Sequence, residues 1–255
     1  MDQQSPAPES SHSTAQQKYD QALKKRGPTA RWNLWRNSFL LSAAAYSGVI
    51  IYQLGRGVDY SINHANAALA DTAIILIGLS FALSGICYFW DFFDTKIIYR
   101  KYLGITGFAY ALAHGLIAYF LYFVIPNDQS RYDALYVWEV FGFQVNNAYA
   151  FLFGATALLI LLFMASISNT AGMKRYGQRW RPLLRLGYLA YFLALLHYGI
   201  KRYEVWEIWL TERPSVLPPF SLLLTAFVLL VFILRLALLI KLRLVKQRGP
   251  DKQSL

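Results

Sequence analysis

Two histidines stand inside long apolar runs, His114 and His197. A polar ring in hydrocarbon is costly, so each is a candidate for function. Neutral imidazole is also the commonest metal-ligating side chain. Before His114, at helical i+3/i+4 spacing, stand Gly104, Gly107 and Ala111. Before His197, at the same offsets, stand Gly187, Ala190 and Ala194. Each histidine therefore heads a lane of small residues on one helix face. Such lanes leave space between two helices, beneath the paired imidazoles, for a flat macrocycle lying edge-on. Two neutral imidazoles supply both axial positions of a haem iron, and a helix-bundle interior is a usual place for one. The structural alternative is that small residues simply let helices approach closely and that a lone His bonds a neighbouring carbonyl. Two histidines with matched lanes favour the ligand reading.

The other polar groups in the apolar runs are few. Asp71 is expected near the outer end of the second run and Arg235 near the inner end of the sixth. Both are placed to reach the interface, Arg235 by snorkelling. Cys87 is alone, behaves as a small hydrophobe, and excludes a disulfide framework within the chain and any multi-cysteine metal or iron–sulfur site. His12 and His64 have no Cys, Asp or Glu at metal-ligand spacing and read as solvated.

The elements that must position the two histidines are membrane helices. Of the 255 residues, 56% are hydrophobic and 15% charged, and the mean hydropathy is +0.32. A soluble domain is nearer 45–50% apolar and about 25% charged. Six apolar runs cover about 39–54, 67–90, 102–124, 148–167, 183–200 and 218–240. The first is short for a span. The others approach or exceed the ~20 residues needed to cross ~30 Å of hydrocarbon. The expected fold is an all-α integral membrane protein, a six-transmembrane-helix bundle. Residues 1–34 read as a disordered polar and basic tail, with no apolar core of a signal peptide near the start. Residues 35–243 form the transmembrane domain and 244–255 a basic C-terminal tail.

Placing both termini in the cytoplasm puts 19 of the 25 Lys and Arg residues on that side, as the positive-inside bias requires. The net charge of +11 is then explained by topology and by contact with the lipid bilayer, not by nucleic acid. In this topology His114 lies 13 residues beyond Lys101 and His197 12 residues beyond Arg185. At 1.5 Å per residue both sit ~18–20 Å from the cytoplasmic end, on parallel helices in the outer half of the bilayer.

The chain resembles the ferric reductase-like transmembrane domain superfamily. The likeness is strongest to the haem-binding membrane subunits of bacterial periplasmic methionine sulfoxide reductase systems. The stretches that carry it are Arg100-Lys101-Tyr102-Leu103-Gly104 through Phe108-Ala109-Tyr110 to His114, and Lys174-Arg175-Tyr176-Gly177-Gln178-Arg179-Trp180 through Leu186-Gly187-Tyr188-Leu189 to Leu196-His197-Tyr198. The resemblance implies a b-type haem with His114 and His197 as axial ligands. Relatives often carry further inner histidines where this chain has Leu184 and Arg100. This departure implies one haem per chain rather than two. The resemblance also implies a bacterial inner (cytoplasmic) membrane location.

The expected function is single-haem electron transfer across the membrane, as the membrane haem subunit of an oxidoreductase, to an acceptor on the outer side. The chain has no GxGxxG fingerprint, so the donor is a separate flavin reductase or a quinol. The basic connection from Lys174 to Arg185 is the natural docking surface for an anionic cofactor or an acidic partner. With no inner haem the path is long. A partner's cofactor, or a flavin or quinone bound at the cytoplasmic side, must enter the bundle, or transfer is slow. Trp138 and Glu139, in an outer connection, fit an acceptor site or interfacial anchoring equally well. The rival reading is a structural or assembly subunit of a larger membrane complex, alongside other membrane subunits, with or without haem. A transporter is disfavoured by the lack of repeats and midplane charges.

Overall fold

A computed structural model describes residues 28–90, 93, 96–124, 137–140 and 143–247. Helices α1 (Pro28–Gly55), α2 (Ile62–Phe89) and α3 (Tyr99–Tyr119, prolonged by a π turn, Phe120–Val124) come first. A hairpin follows, β1 (Val137–Val140) and β2 (Phe143–Asn146), then α4 (Asn147–Ile167). Two short helices, α5 (Thr170–Tyr176) and α6 (Trp180–Leu184), precede α7 (Leu186–Glu212) and α8 (Phe220–Gln247). Six of these helices are long and apolar enough to cross a membrane: α1 to α4, α7 and α8. The fold is an all-α, six-span bundle.

The boundaries have local causes. Ser61 caps α2, its hydroxyl accepting the His64 N–H at 3.3 Å, the usual repair of an orphan amide at a helix start. His64 is part of this cap, its Nδ1 lying 2.8 Å from the same hydroxyl, and is not merely solvated. Asn169 caps α5 through Gly172 N–H at 2.7 Å. Helix α7 ends where Arg213 turns left-handed (φ 48°) just before Pro214, a residue that cannot continue a helix.

Helix α2 is the hub. More than half of its apolar window (56%) is buried, against 11–22% in the other five spans. It packs against α1, α3, α7 and α8, while α4 pairs with α7. Close approach needs small residues, and Gly78 is the clearest case. A Cβ there would meet the Tyr191 hydroxyl and lie 2.5 Å from Phe227 Cε1. The core gathers Ile74, Ile77 and Phe81 of α2 with Tyr191 and Tyr198 of α7 and Leu224, Val228 and Val231 of α8. Large apolar side chains such as Ile51, Leu159 and Ile233 point outward, each more than 60% exposed. That is the surface a lipid solvent requires.

Three differences from the sequence reading have physical reasons. The first span is not short: it runs over Trp32–Gly55, because Asn33, Arg36, Asn37 and Ser38 lower the hydropathy of its first turns without breaking the helix. The fifth continues to Glu212, since nothing between Ile200 and Arg213 terminates it. The connection that carries Trp138 and Glu139 holds a hairpin, with Trp138 opposite Val145 and Glu139 opposite Gln144, where the sequence reading assigned no element. The expected tails lie outside the described residues up to 27 and from 248 onward. Pro28 to Leu34 and Leu244 to Gln247 are helical.

Candidate haem site

The two intramembrane histidines meet. The rings of His114 (α3) and His197 (α7) lie with centroids 6.4 Å apart and planes at 68°. Between the helices that carry them is a cavity of about 560 Å³, within the size range of ligand pockets. Ala111, Ala190 and Ala194 line it together with both histidines. Ala70, Ala73 and Ile74 of α2 and Phe151, Gly154 and Leu158 of α4 complete the wall. The other three small residues of the two lanes sit elsewhere. Gly107 is pressed against Ile77 and Leu76 of α2, and Gly187 against Met164 and Phe81. Gly104 lines a second cavity.

Each imidazole is held by its Nδ1. His114 Nδ1 lies 3.0 Å from the Asn66 carbonyl oxygen and 3.1 Å from Asn66 Oδ1. His197 Nδ1 lies 2.6 Å from the Ala150 carbonyl oxygen. Carbonyl oxygens only accept, so Nδ1 carries the proton in both rings and Nε2 keeps its lone pair. That is the usual arrangement of a metal-ligating histidine. Asn147 begins α4 one turn before Ala150, and Asn66 lies in the first turns of α2, so backbone near helix starts aims both rings. Gly154 makes room for His197: a Cβ there would lie 2.8 Å from Nδ1 and 3.1 Å from Cε1.

The residues fit a haem. With ring centres 6.4 Å apart, the two imidazoles are near enough to hold one haem iron between them, were it bound. Among the described residues no three His, Cys, Asp or Glu cluster as a metal cage. A macrocycle supplies four donors itself and asks the protein for two.

Asp71 corrects the sequence reading. It does not reach the interface but is 3% exposed, with Oδ1 accepting the Tyr198 hydroxyl at 2.6 Å and Oδ2 3.4 Å from Gln53 Nε2. Sequence alone hid this, because the partners lie 18 and 127 residues away. Arg235 is half-buried, its guanidinium 4.9 Å over the Tyr188 ring.

The second cavity, about 620 Å³, lies below the first and shares Ile77 and Leu161 with it. Arg100, Lys101, Arg185 and Arg235 line it, with Ser80, Trp180, Tyr188 and Leu184. Four cations around one partly apolar chamber make a seat for an anionic or strongly polarised ligand. Arg100 and Leu184, the two departures noted in the sequence, both line this chamber.

Residues 69–195 match the family described as ferric reductase like transmembrane component. This stretch includes His114 and ends two residues before His197. The chain is also similar to the protein-methionine-sulfoxide reductase heme-binding subunit MsrQ of Agrobacterium fabrum, with 31% identity over 116 residues. That alignment covers 45% of this chain and 49% of the relative, so the chain spans about half the length of the curated relative it matches. Six spans and this likeness make it a multi-pass integral membrane protein, consistent with a bacterial inner-membrane location. Residues 69–195 thus match a ferric reductase-like transmembrane domain, in a chain similar over part of its length to MsrQ.

Proposed function

We propose that this protein carries electrons across the membrane through one b-type haem held between His114 and His197. The observation that carries the reading is the pair of half-buried imidazoles, each anchored through Nδ1, with ring centres 6.4 Å apart beside one apolar cavity. Haem supplies one-electron chemistry at iron when bound. The chain's residues do the rest. Asn66 and the Ala150 carbonyl fix tautomer and ring orientation. Gly154 lets α4 approach His197. Ala111, Ala190 and Ala194 keep the space clear, and the apolar wall excludes water.

Electrons enter at the opposite end. Arg100, Lys101, Arg185 and Arg235 lie on the side that the positive-inside rule assigns to the cytoplasm, as do both termini. The chamber they line is the place for a donor flavin or quinone, bound or presented by a separate reductase. It shortens the path that a missing inner haem would leave long. The acceptor lies on the outer side. The name of the similar subunit makes a methionine sulfoxide reductase one acceptor to test, and the domain's family makes a ferric chelate another.

The test is haem content in detergent-purified protein from haem-supplied cells. His114→Ala and His197→Ala are each expected to lose the haem while keeping the wild-type helical circular dichroism. Full haem content in both variants would remove the ligand assignment. Folded wild-type protein with no haem would favour a structural or assembly subunit.

A further inference from the structure

We infer that Asp71 is a proton-holding group coupled to electron arrival at the paired-histidine site, with Tyr198 and Gln53 as its fixed partners. The inference rests on the haem reading above. Three observations carry it. Asp71 is a carboxyl in the middle of a membrane bundle, 3% exposed, where an ionised group is costly unless it has a use or a full set of partners. Its set is thin. Oδ1 accepts one short bond from Tyr198, the residue next to His197, and Oδ2 has a long contact to the Gln53 amide. Gln53 Oε1 is itself buried with no hydrogen-bond partner among the described residues. An amide in that position serves either protonation state. Its N–H₂ donates to a carboxylate, and turned over, its C=O accepts from a carboxylic acid. Oδ2 is therefore the proton seat, while Oδ1 accepts from Tyr198 in both states.

The surroundings make the coupling one-signed. On α7 the charged group on this side is Arg202, four residues beyond Tyr198. Helix α1 contributes Gln53, with Arg56 one turn on and turned to the Leu217 carbonyl. Helix α8 contributes Ser221, which accepts from Trp206 at 2.8 Å. On α3 the titratable group is His114, held by Asn66, five residues or ~7.5 Å along α2 from Asp71. An electron added beside an ionised Asp71 meets like charge in a low dielectric. Taking one proton from water onto Oδ2 cancels it. One electron from the donor and one proton from the aqueous phase then enter together, and no other bond forms or breaks.

The experiment is a spectroelectrochemical titration of the full-length haem-loaded protein in detergent, with dithionite as reductant. It runs from about pH 5 to about pH 9, paired with redox-difference infrared spectra. In wild type the midpoint potential is expected to fall with pH, approaching a tenfold change in equilibrium constant per pH unit, or about 59 mV for one electron. A carboxylic C=O band should appear on reduction. Asp71→Asn should flatten the slope and abolish the band, and Asp71→Glu should restore both. Tyr198→Phe keeps the carboxyl but removes its donor. It should move the sloping region to higher pH, which keeps the inference testable if Asp71→Asn does not fold. A flat wild-type titration, or an unchanged slope and band in Asp71→Asn, overturns the inference. Failure of the haem reading is distinguishable, because no haem absorbance would be present before any potential is measured.

Discussion

Gly154→Ala is the sharpest test of how the site is built. The glycine faces His197, and an added Cβ would lie 2.8 Å from Nδ1 and 3.2 Å from Cγ. Ordinary non-bonded separation is about 3.5 Å, so the ring must retreat by about 0.7 Å. That retreat competes with the 2.6 Å bond from Nδ1 to the Ala150 carbonyl. Placement tolerances at a functional site are about 0.5 Å, so either the bond breaks or Nε2 is displaced from the axis between the rings. Loss of a hydrogen bond that aims a metal ligand costs about 10- to 100-fold in affinity, or about 1.4–2.8 kcal/mol. The helix should tolerate the methyl itself, because alanine is the best helix former. The assay is haem titration of haem-depleted protein in detergent, read by visible absorbance, with circular dichroism as a control for folding. Gly154→Ala should bind at least tenfold more weakly, with unchanged helicity. Affinity within twofold of wild type would refute the reasoning that α4 positions His197.

Three further outcomes are expected. Asn66→Ala removes one of the two oxygens on His114 Nδ1 and should weaken haem binding about tenfold, measured by the same titration. Gly187→Ala places a Cβ 2.8 Å from Phe81 Cζ. It should lower stability by about 1–3 kcal/mol in thermal melts, leaving the haem content of the folded fraction unchanged. The pair Arg185→Gln and Arg235→Gln should slow reduction by a phosphate-bearing reduced flavin about threefold to tenfold at low salt and blunt the salt dependence of the rate, as followed by stopped-flow absorbance.

What was legible in the sequence follows the physics of each signal. Long apolar runs and offset small residues are local patterns, so the six spans and the pairing of two histidines were readable. The meeting of His114 and His197 at 6.4 Å is the geometric outcome of matched depth on parallel helices. The supports were not readable. Asn66, Gly154 and the Ala150 carbonyl act across helices, and a glycine or asparagine inside a span has many reasons to be there. A signal existed for Asn66: a polar amide early in an apolar helix needs a partner. Asp71 was misplaced because depth was counted along one helix, whereas its burial is set by Tyr198 and Gln53 from two others. The hairpin escaped because two four-residue strands carry little periodicity. The second cavity escaped because its cations, expected as a cytoplasmic fringe, converge from α3, α8 and the segment between α6 and α7.

The central claim is most directly tested by a dithionite-reduced minus oxidised visible spectrum of the purified wild-type protein, with haem quantified per chain. The account predicts sharp low-spin b-type bands at one haem per chain, the signature of two imidazoles on one iron. Two haems per chain would contradict the reading of Arg100 and Leu184. A folded, haem-supplied protein with no bands, or with the spectrum of a singly ligated iron, would contradict the pairing of His114 with His197.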